Sequence, residues 1–535
     1  MLRKIDEYPD YSGFISHIRE NGISDDVVNK IIDKHRNNSE HTKQLYDRYK
    51  TREDAVPIFS REPRFKHEDE DIQELNNKVN NDFFSEIADI AVGYFAGKAA
   101  AYKYADTGEE EESTAEQAKK ALGDFVKRNN MYDINMETTK YATICGYSGR
   151  LFYIDTEGNE RVMAVAPYET IILYEDEMTE PFAAIRYYKV TDINGADSYK
   201  AEYYDDTNIM YYEGQIGSLV HKADKDQPHM FDFCPLQGIP RNRELLGDAE
   251  KVLALIDDYD KTISDNSNDI EDNTNAHMVF KNVVITDEEM ARARKSGSFS
   301  YNAMNDSDVY YLVKNVNDAF NTNHLNRLED NIYRFSKTPN LNSEKFGTAS
   351  GISLKFKITG LESKCGTFEA KCVSADTYMF KLLGSSFQKK RIPFDCLQCY
   401  VVYKRNFPMD LVSEAQTVQQ LISAGLPKKT AFEQLSFVDD VDYIMDEIEE
   451  EKDDIPSLTT KMPEDDKTYN DVISKGDLDT SGTTKQLNGA QITALINIIN
   501  NVKQGVISRN AAISMAVSTL GISKDNAEQM IEDNL

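Results

Sequence analysis

From Gly247 to Asn273 the apolar residues Ala249, Val252, Ile256, Tyr259, Ile263 and Ile270 recur at alternating steps of three and four, with Asn266 at the one polar step. At about 100° per residue they make a single stripe. On the same wheel Glu250, Asp257, Asp258, Asp265, Asp269 and Asp272, with Lys261 among them, fill an opposite sector of roughly 120°. The spacing predicts one long amphipathic helix with a packing face and a strip of carboxylates. Charged strips most often only solvate a surface helix, so the strip by itself assigns nothing.

The rest of the chain surrounds this helix. Residues 1–50 alternate short helical patterns with polar breaks, and Ser24-Asp-Asp-Val reads as a helix start. After a loop with Pro57 and Pro63, the positions Ile72, Leu75, Val79, Phe83, Ile87 and Tyr94 predict a helix over 72–95. Gly108-Glu-Glu-Glu-Glu-Ser-Thr reads as an exposed acidic loop. From Thr143 to Tyr212 the period falls to two in short β-rich runs, which predicts a mainly antiparallel sheet region with tyrosine-rich faces. Beyond the acidic helix come a strand over 277–285, a capping box Thr286-Asp-Glu-Glu289 opening a short helix, and a second strand over 309–316. A helix over Asp318–Ser336 follows, so a small α/β module sits between two helices like a tip on a stalk.

Pro339 ends that stalk, and residues 341–351 form a polar loop with two glycines. A very long helical pattern then runs from Gly351 to about Arg391, with Leu354, Ile358, Leu361, Cys365, Phe368, Cys372, Ala375, Met379 and Leu382 on one seam. Its interior glycines predict a bend or close packing. Cys396-Leu-Gln-Cys399 lies on an alternating run with no second CxxC or His pair, so strand packing is favoured over zinc or redox chemistry. Residues 411–452 read as short helices, 453–487 as a polar linker, and 488–535 as a small helical bundle.

Composition narrows the function classes. A chain of 535 residues predicts three or more structural units. Its 61 Lys and Arg against 92 Asp and Glu leave a net charge of −31, a surface that repels nucleic acid instead of gripping it. No basic start with an apolar run and cleavage site occurs, and no apolar run reaches the roughly 18 residues of a membrane span, so a soluble product made in a cytoplasm is expected. The six cysteines show no disulfide-framework spacing, and free thiols are expected. Enzyme motifs are missing: no P-loop, nucleophile elbow, HExxH or EF-hand loop. Asp248 with Glu250, or Asp257 with Asp258, are conceivable magnesium ligands for a nuclease, but adjacent helix positions diverge by about 100°. We therefore expect no catalytic residue, no metal and no cofactor.

Four stretches together resemble the portal proteins of tailed bacteriophages, of the group found in siphophages of Gram-positive hosts. They are NNKVNNDFFSEIADIAVGYFAGK at 76–98, YSGRLFYIDTEGN at 147–159, GDAEKVLALIDDYDKTISDNSNDIED at 247–272 and SEKFGTASGISLKFKITGLE at 343–362. The resemblance covers about 70–410 in the family's order and fades before about 60 and after about 455.

It implies an α+β portal-type fold with long stem helices, a β-rich wing, a small α/β clip and a helical crown, assembled as a homo-oligomeric, twelve-subunit ring. On this chain it implies N-terminal helices and wing at 1–246, stem helices at 247–273 and 318–340, clip at 274–317, and tunnel loop at 341–351. A wing helix and strand at 352–410, crown at 411–454, linker at 455–487 and C-terminal bundle at 488–535 complete the division. Double-stranded DNA would pass through the ring without sequence specificity during packaging and ejection. The implied partners are the terminase large subunit, major capsid and scaffolding proteins and the head-completion adaptor; the implied location is the portal vertex of the virion, after synthesis in the bacterial cytoplasm, with no membrane.

The tunnel-loop residues expected to face DNA are Asn342, Ser343, Glu344, Lys345, Phe346 and Gly347, with Lys355 and Lys357 nearby. Glu250, Asp257, Asp258, Lys261, Asp265 and Asp269 are the expected channel-lining stem residues, where a ring of carboxylates repels the duplex towards the axis. The charge also admits an acidic scaffold or DNA mimic that binds basic proteins, and the carboxylate pairs a metal-dependent nuclease.

Overall fold

The structure is a computed structural model that describes residues 9–63, 75–105, 112–175, 180–274, 277–296, 308–312, 318–341, 351–406, 411–432 and 509–520, with isolated positions between 435 and 448 and at 528 and 531. It is a mixed helix and sheet protein in two units, 1–446 and 447–535, where the sequence predicted three or more. The difference has a physical source: the first unit contains several apolar clusters, but long helices pass from one to the next and tie them together.

Two N-terminal helices, α1 (Ser12–Asn21) and α2 (Asp25–Tyr49), lie on a sheet. The sequence predicted only short helical pieces here, yet α2 runs 25 residues because Val28, Ile31, Ile32 and Leu45 keep one face buried throughout. Helix α3 (Phe83–Ala96) precedes the first strand, β1 (Ala101–Tyr104), and α4 (Glu112–Arg128) and α5 (Met131–Cys145) follow it. The helix expected over 72–95 begins only at Phe83, where Asp82 caps the amide of Ser85. Glu112, Ser113 and Thr114 of the expected acidic loop are already in α4, and residues 106–111 lie outside the described residues. Neither α4 nor α5 was anticipated. Thr143, taken as the start of the sheet region, belongs to α5, which ends on Gly146 in the left-handed region at φ 79°. A Cβ there would stand 2.0 Å from the Leu245 carbonyl oxygen, so only glycine fits.

The β region forms two antiparallel sheets. One orders β10 (Leu236–Pro240), β2 (Tyr147–Ile154) and β3 (Glu160–Val165). The other runs β4 (Thr170–Tyr174), β5 (Pro181–Thr191), β6 (Asp197–Tyr204), β7 (Asn208–Gln215) and β8 (Ser218–His221), with the short β9 (Gln227–Pro228) also on β7. The tyrosines pack: Tyr187, Tyr203 and Tyr212 are buried with Val28, Ile31 and Ile32 of α2.

After a single turn over Glu250–Val252, α6 (Leu253–Thr274) is followed by β11 (His277–Lys281), α7 (Asp287–Ser296) and β12 (Asp308–Leu312), and then α8 (Asp318–Ser336). The strands β11 and β12 pair antiparallel. The capping box forms as read: the Thr286 amide and hydroxyl donate to the Glu289 carboxylate at 3.0 and 2.9 Å, and the Glu289 amide returns a bond of 3.4 Å.

The long helix α9 (Gly351–Lys389) spans 39 residues, and Leu361, Cys365, Phe368, Cys372, Met379 and Leu382 on its seam are all buried. Gly360 packs closely, its Cβ position lying 3.4 Å from the Lys337 side chain. The Cys396 segment is a single turn, and Cys399 opens β13 (Cys399–Val402), which pairs with β1. All six cysteines are free thiols; burial pushes Cys399 up to about 12, away from the range of reactive thiolates. Short helices α10 (Leu411–Ser423) and α11 (Lys428–Phe432) flank Gly425, and in the second unit α12 (Arg509–Leu520) buries Ala512, Ile513 and Ala516. The expected linker over 455–487 lies outside the described residues. No described helix is long and apolar enough to cross a membrane.

Candidate functional site

The acidic helix is held on three sides. At its start Val252, Leu253 and Ile256 pack with Leu45, Phe84, Ile87 and Ile332, which joins α6 to α2, α3 and α8. The partner helix α8 runs antiparallel: Asn321 donates to the Asn266 side chain at 2.9 Å, and Phe83 stands edge-on between Tyr259 and Tyr333, at 4.9 and 5.8 Å. The polar step in the stripe is thus a cross-helix bond.

A second side was not read from the sequence. Residues 75–82 take no regular element and run alongside α6, and every other backbone amide is captured by a helix side chain. Asn81 donates to Asp260 at 2.8 Å, Val79 to the Ser264 hydroxyl at 3.0 Å and Asn77 to the Asn268 carbonyl at 2.8 Å. Two residues of extended chain advance about 6.6 Å and four residues of helix about 6 Å, so the rungs stay in register over three steps. Asp260 and Ser264 are fully buried here. Burial raises the Asp260 carboxyl above its usual range, against the pull of its bonds to Asn81. The signal was the helical spacing of Asp260, Ser264 and Asn268, polar residues beside the apolar stripe.

We expect Asp260→Leu to strand the Asn81 amide and destabilise the segment by about 1–3 kcal/mol. Hydrogen exchange at Asn77, Val79 and Asn81 should accelerate together; unchanged protection of all three would show that the rungs do not hold the segment.

The third side concerns the predicted carboxylates. Asp257 takes the Arg48 guanidinium of α2, and Asp265 takes that of Arg61. Glu250, with its side chain 5% exposed, is bound by the His41 ring at 2.7 Å and by the Gly247 amide at 2.8 Å. Asp258 stands half exposed, 3.4 Å from the His324 ring of α8. Lys261 is exposed and Asp269 partly so. Four of the six candidates, Glu250, Asp257, Asp258 and Asp265, therefore face basic groups of the same chain. Sequence reasoning found the strip but not its partners, because Arg48 and Arg61 are about 200 residues away.

The expected tunnel-loop residues Asn342 to Gly347 lie outside the described residues, as does the side chain of Lys355; Lys357 is exposed. Asp257 and Asp258 diverge to Arg48 and His324 and do not converge on one ion. Among the described residues no group of three or more His, Cys, Asp or Glu is placed to hold a metal.

These features describe an acidic helix, α6, paired with α8 across a small α/β insertion. Residues 28–457 match the family model of the phage portal protein, SPP1 Gp6-like, and the chain belongs to that family. It is 24% identical over 337 residues to the portal protein of Bacillus phage SPP1, spanning 60% of this chain and 67% of that one. It is 23% identical over 328 residues to the portal protein of Clostridium phage phiCD119, spanning 56% and 70%. Its class is therefore that of a non-enzymatic virion component of the capsid.

Proposed function

We propose that the chain acts as a twelve-subunit ring at one capsid vertex, the channel through which double-stranded DNA is packaged and later released. The observation that carries this reading is the antiparallel pair α6 and α8, with β11, α7 and β12 between them in the chain, in a member of the portal family. In this reading the helix pair is the stem and the insertion is the clip. The clip receives the terminase large subunit during packaging and the head-completion adaptor afterwards, and the β-rich region faces the capsid and scaffolding proteins.

Duplex DNA must slide, so a lining that avoids tight phosphate contacts is required. Asp258 and Lys261, exposed on α6, and Asp269 further along the same helix are proposed for it; Glu250, Asp257 and Asp265 are held against the chain by His41, Arg48 and Arg61. Residues 342–347, with Lys345 and Phe346 foremost, are proposed as the loop that touches DNA by contacts that break and re-form.

Electron microscopy of the purified protein with a light-scattering mass tests the assembly. Rings with a central hole and a mass near twelve times 60.9 kDa are expected. A compact dimer that binds basic proteins would replace this reading with an acidic scaffold. For the lining, Asp258→Asn with Asp269→Asn should slow packaging at low salt and less so at high salt, where charge is screened. An unchanged rate at low salt would remove these residues from the channel.

A further inference from the structure

Where the Arg241–Asp248 loop, the end of α8 and the middle of α9 meet, there is a cavity of about 190 Å³. Four cations line it, Arg241, Lys251, Lys337 and Lys364, against two carboxylates, Glu244 and Asp248. This is a local positive excess in a chain of net charge −31.

The inner groups define its chemistry. Asp248 accepts from Arg241 Nε and Nη2 at 2.9 and 2.8 Å and from Lys364 Nζ at 2.9 Å. The side chains of Arg241 and Asp248 are 2% and 3% exposed and that of Lys364 is 18% exposed. Two largely buried cations thus share one carboxylate, which leaves one positive charge without a counter-charge where desolvation makes it costly. Arg241 stacks on the Phe368 ring at 4.6 Å, which fixes its plane, and its Nη1 is buried with no hydrogen-bond partner. Buried donors are nearly always paired, so this one signals a missing acceptor. Lys364 also donates to the Ser336 carbonyl at 2.7 Å, which holds its ammonium at the cavity. Burial pulls that ammonium below the usual lysine range and Asp248 opposes the fall, so an added anion would keep it charged. Ser363 and Thr367, exposed on α9, supply hydroxyls at the rim.

We propose that this cavity binds a small oxyanion of the phosphate class, held by Lys364 and Arg241 from within and by Lys251 and Lys337 at the rim. The volume admits one such anion with a few waters. The inference stands apart from the ring and channel reading, since it uses only groups within one chain. Two sources share this chemistry, free inorganic phosphate and the phosphodiester backbone of DNA.

The test is titration of the full chain with inorganic phosphate at constant ionic strength, followed by phosphorus NMR and calorimetry. Saturable binding is expected. Lys364→Met, which leaves the neutral Arg241–Asp248 pair in place, and the surface change Lys337→Glu should each weaken it by at least about tenfold, the worth of one charged contact. Short duplex DNA that displaces the phosphate would assign the site to a backbone phosphate, and failure to displace it would assign the site to the free ion. Absence of saturable binding to the wild-type chain, or equal binding by the Lys337→Glu chain, would overturn the proposal; the Lys337→Glu result decides alone if Lys364→Met does not fold.

Discussion

Replacing Asp376 with asparagine while Arg150 stays in place should cost about 3–5 kcal/mol, read as a large fall in the urea midpoint of the first unit. Arg150 on β2 and Asp376 on α9 are 1% and 0% exposed and bonded at 2.6 Å. Asn135 accepts from the second guanidinium nitrogen at 2.8 Å, and the Tyr403 hydroxyl donates to the other Asp376 oxygen at 2.5 Å. Burial drives the Asp376 carboxyl upward, and the Arg150 charge works against it. Removing the carboxylate charge leaves a guanidinium with neither water nor counter-ion, whereas removing both charges leaves an apolar gap. The double change Arg150→Met with Asp376→Leu should therefore be milder than Asp376→Asn alone. A single change milder than the double would mean that water reaches the site.

Acid should destabilise the first unit well above the carboxylate range, through His35. This side chain is 1% exposed between α2 and the larger sheet; Nδ1 meets the Tyr187 hydroxyl at 3.1 Å and the ring stands edge-on to Tyr187. Burial pushes its pKa down to about 3, while the unfolded chain binds the proton near about 6.5. Between those values the unfolded state holds more protons. The stability contributed by neutral His35 is therefore complete above about pH 6.5 and is lost as pH falls towards the folded value, by about 1.4 kcal/mol per unit. At pH 5 the wild type should have lost about 2 kcal/mol on this account relative to pH 7.5. A His35→Gln chain, less stable at neutral pH, should lose correspondingly less between the two. Parallel loss in both chains would place the acid sensitivity elsewhere.

The long helices α6, α8 and α9 were legible because their faces repeat. Val252 and Ile256 in α6, Leu328 and Ile332 in α8 and the seam from Leu361 to Leu382 in α9 are buried at the helical spacing that the sequence repeats, whereas Ile270, at the end of the predicted stripe, is exposed. Helix α5 was hidden because the tyrosine and β-branched threonines near Tyr141 to Ile144 favour strand locally, while packing of Ile144 and Cys145 against Leu45, Phe84 and Ile87 decides for helix; in α4 the buried Ala115, Ala118, Leu122 and Phe125 do keep a helical spacing. Residues 75–82 carried a helical spacing of Leu75, Val79 and Phe83, but the amides of 77, 79 and 81 found better acceptors on α6 than in a helix of their own. At the candidate site the carboxylates were legible as a strip. What each one faces was not, since Arg48, Arg61 and His41 reach them through the fold and no local pattern records that.

The segment along α6 also has a mechanical consequence. Its three rungs, at Asp260, Ser264 and Asn268, are spaced one helical turn apart and each binds a backbone amide. A force along the helix axis loads all three at once and must shear them together, whereas a force lifting one end of the segment meets them singly, like a zip. The attachment is stiff to sliding and soft to peeling; proline at 77, 79 or 81 would remove a rung outright, whereas other changes at Asn77 and Asn81 would remove only the added side-chain bonds to Glu271 and Asp260.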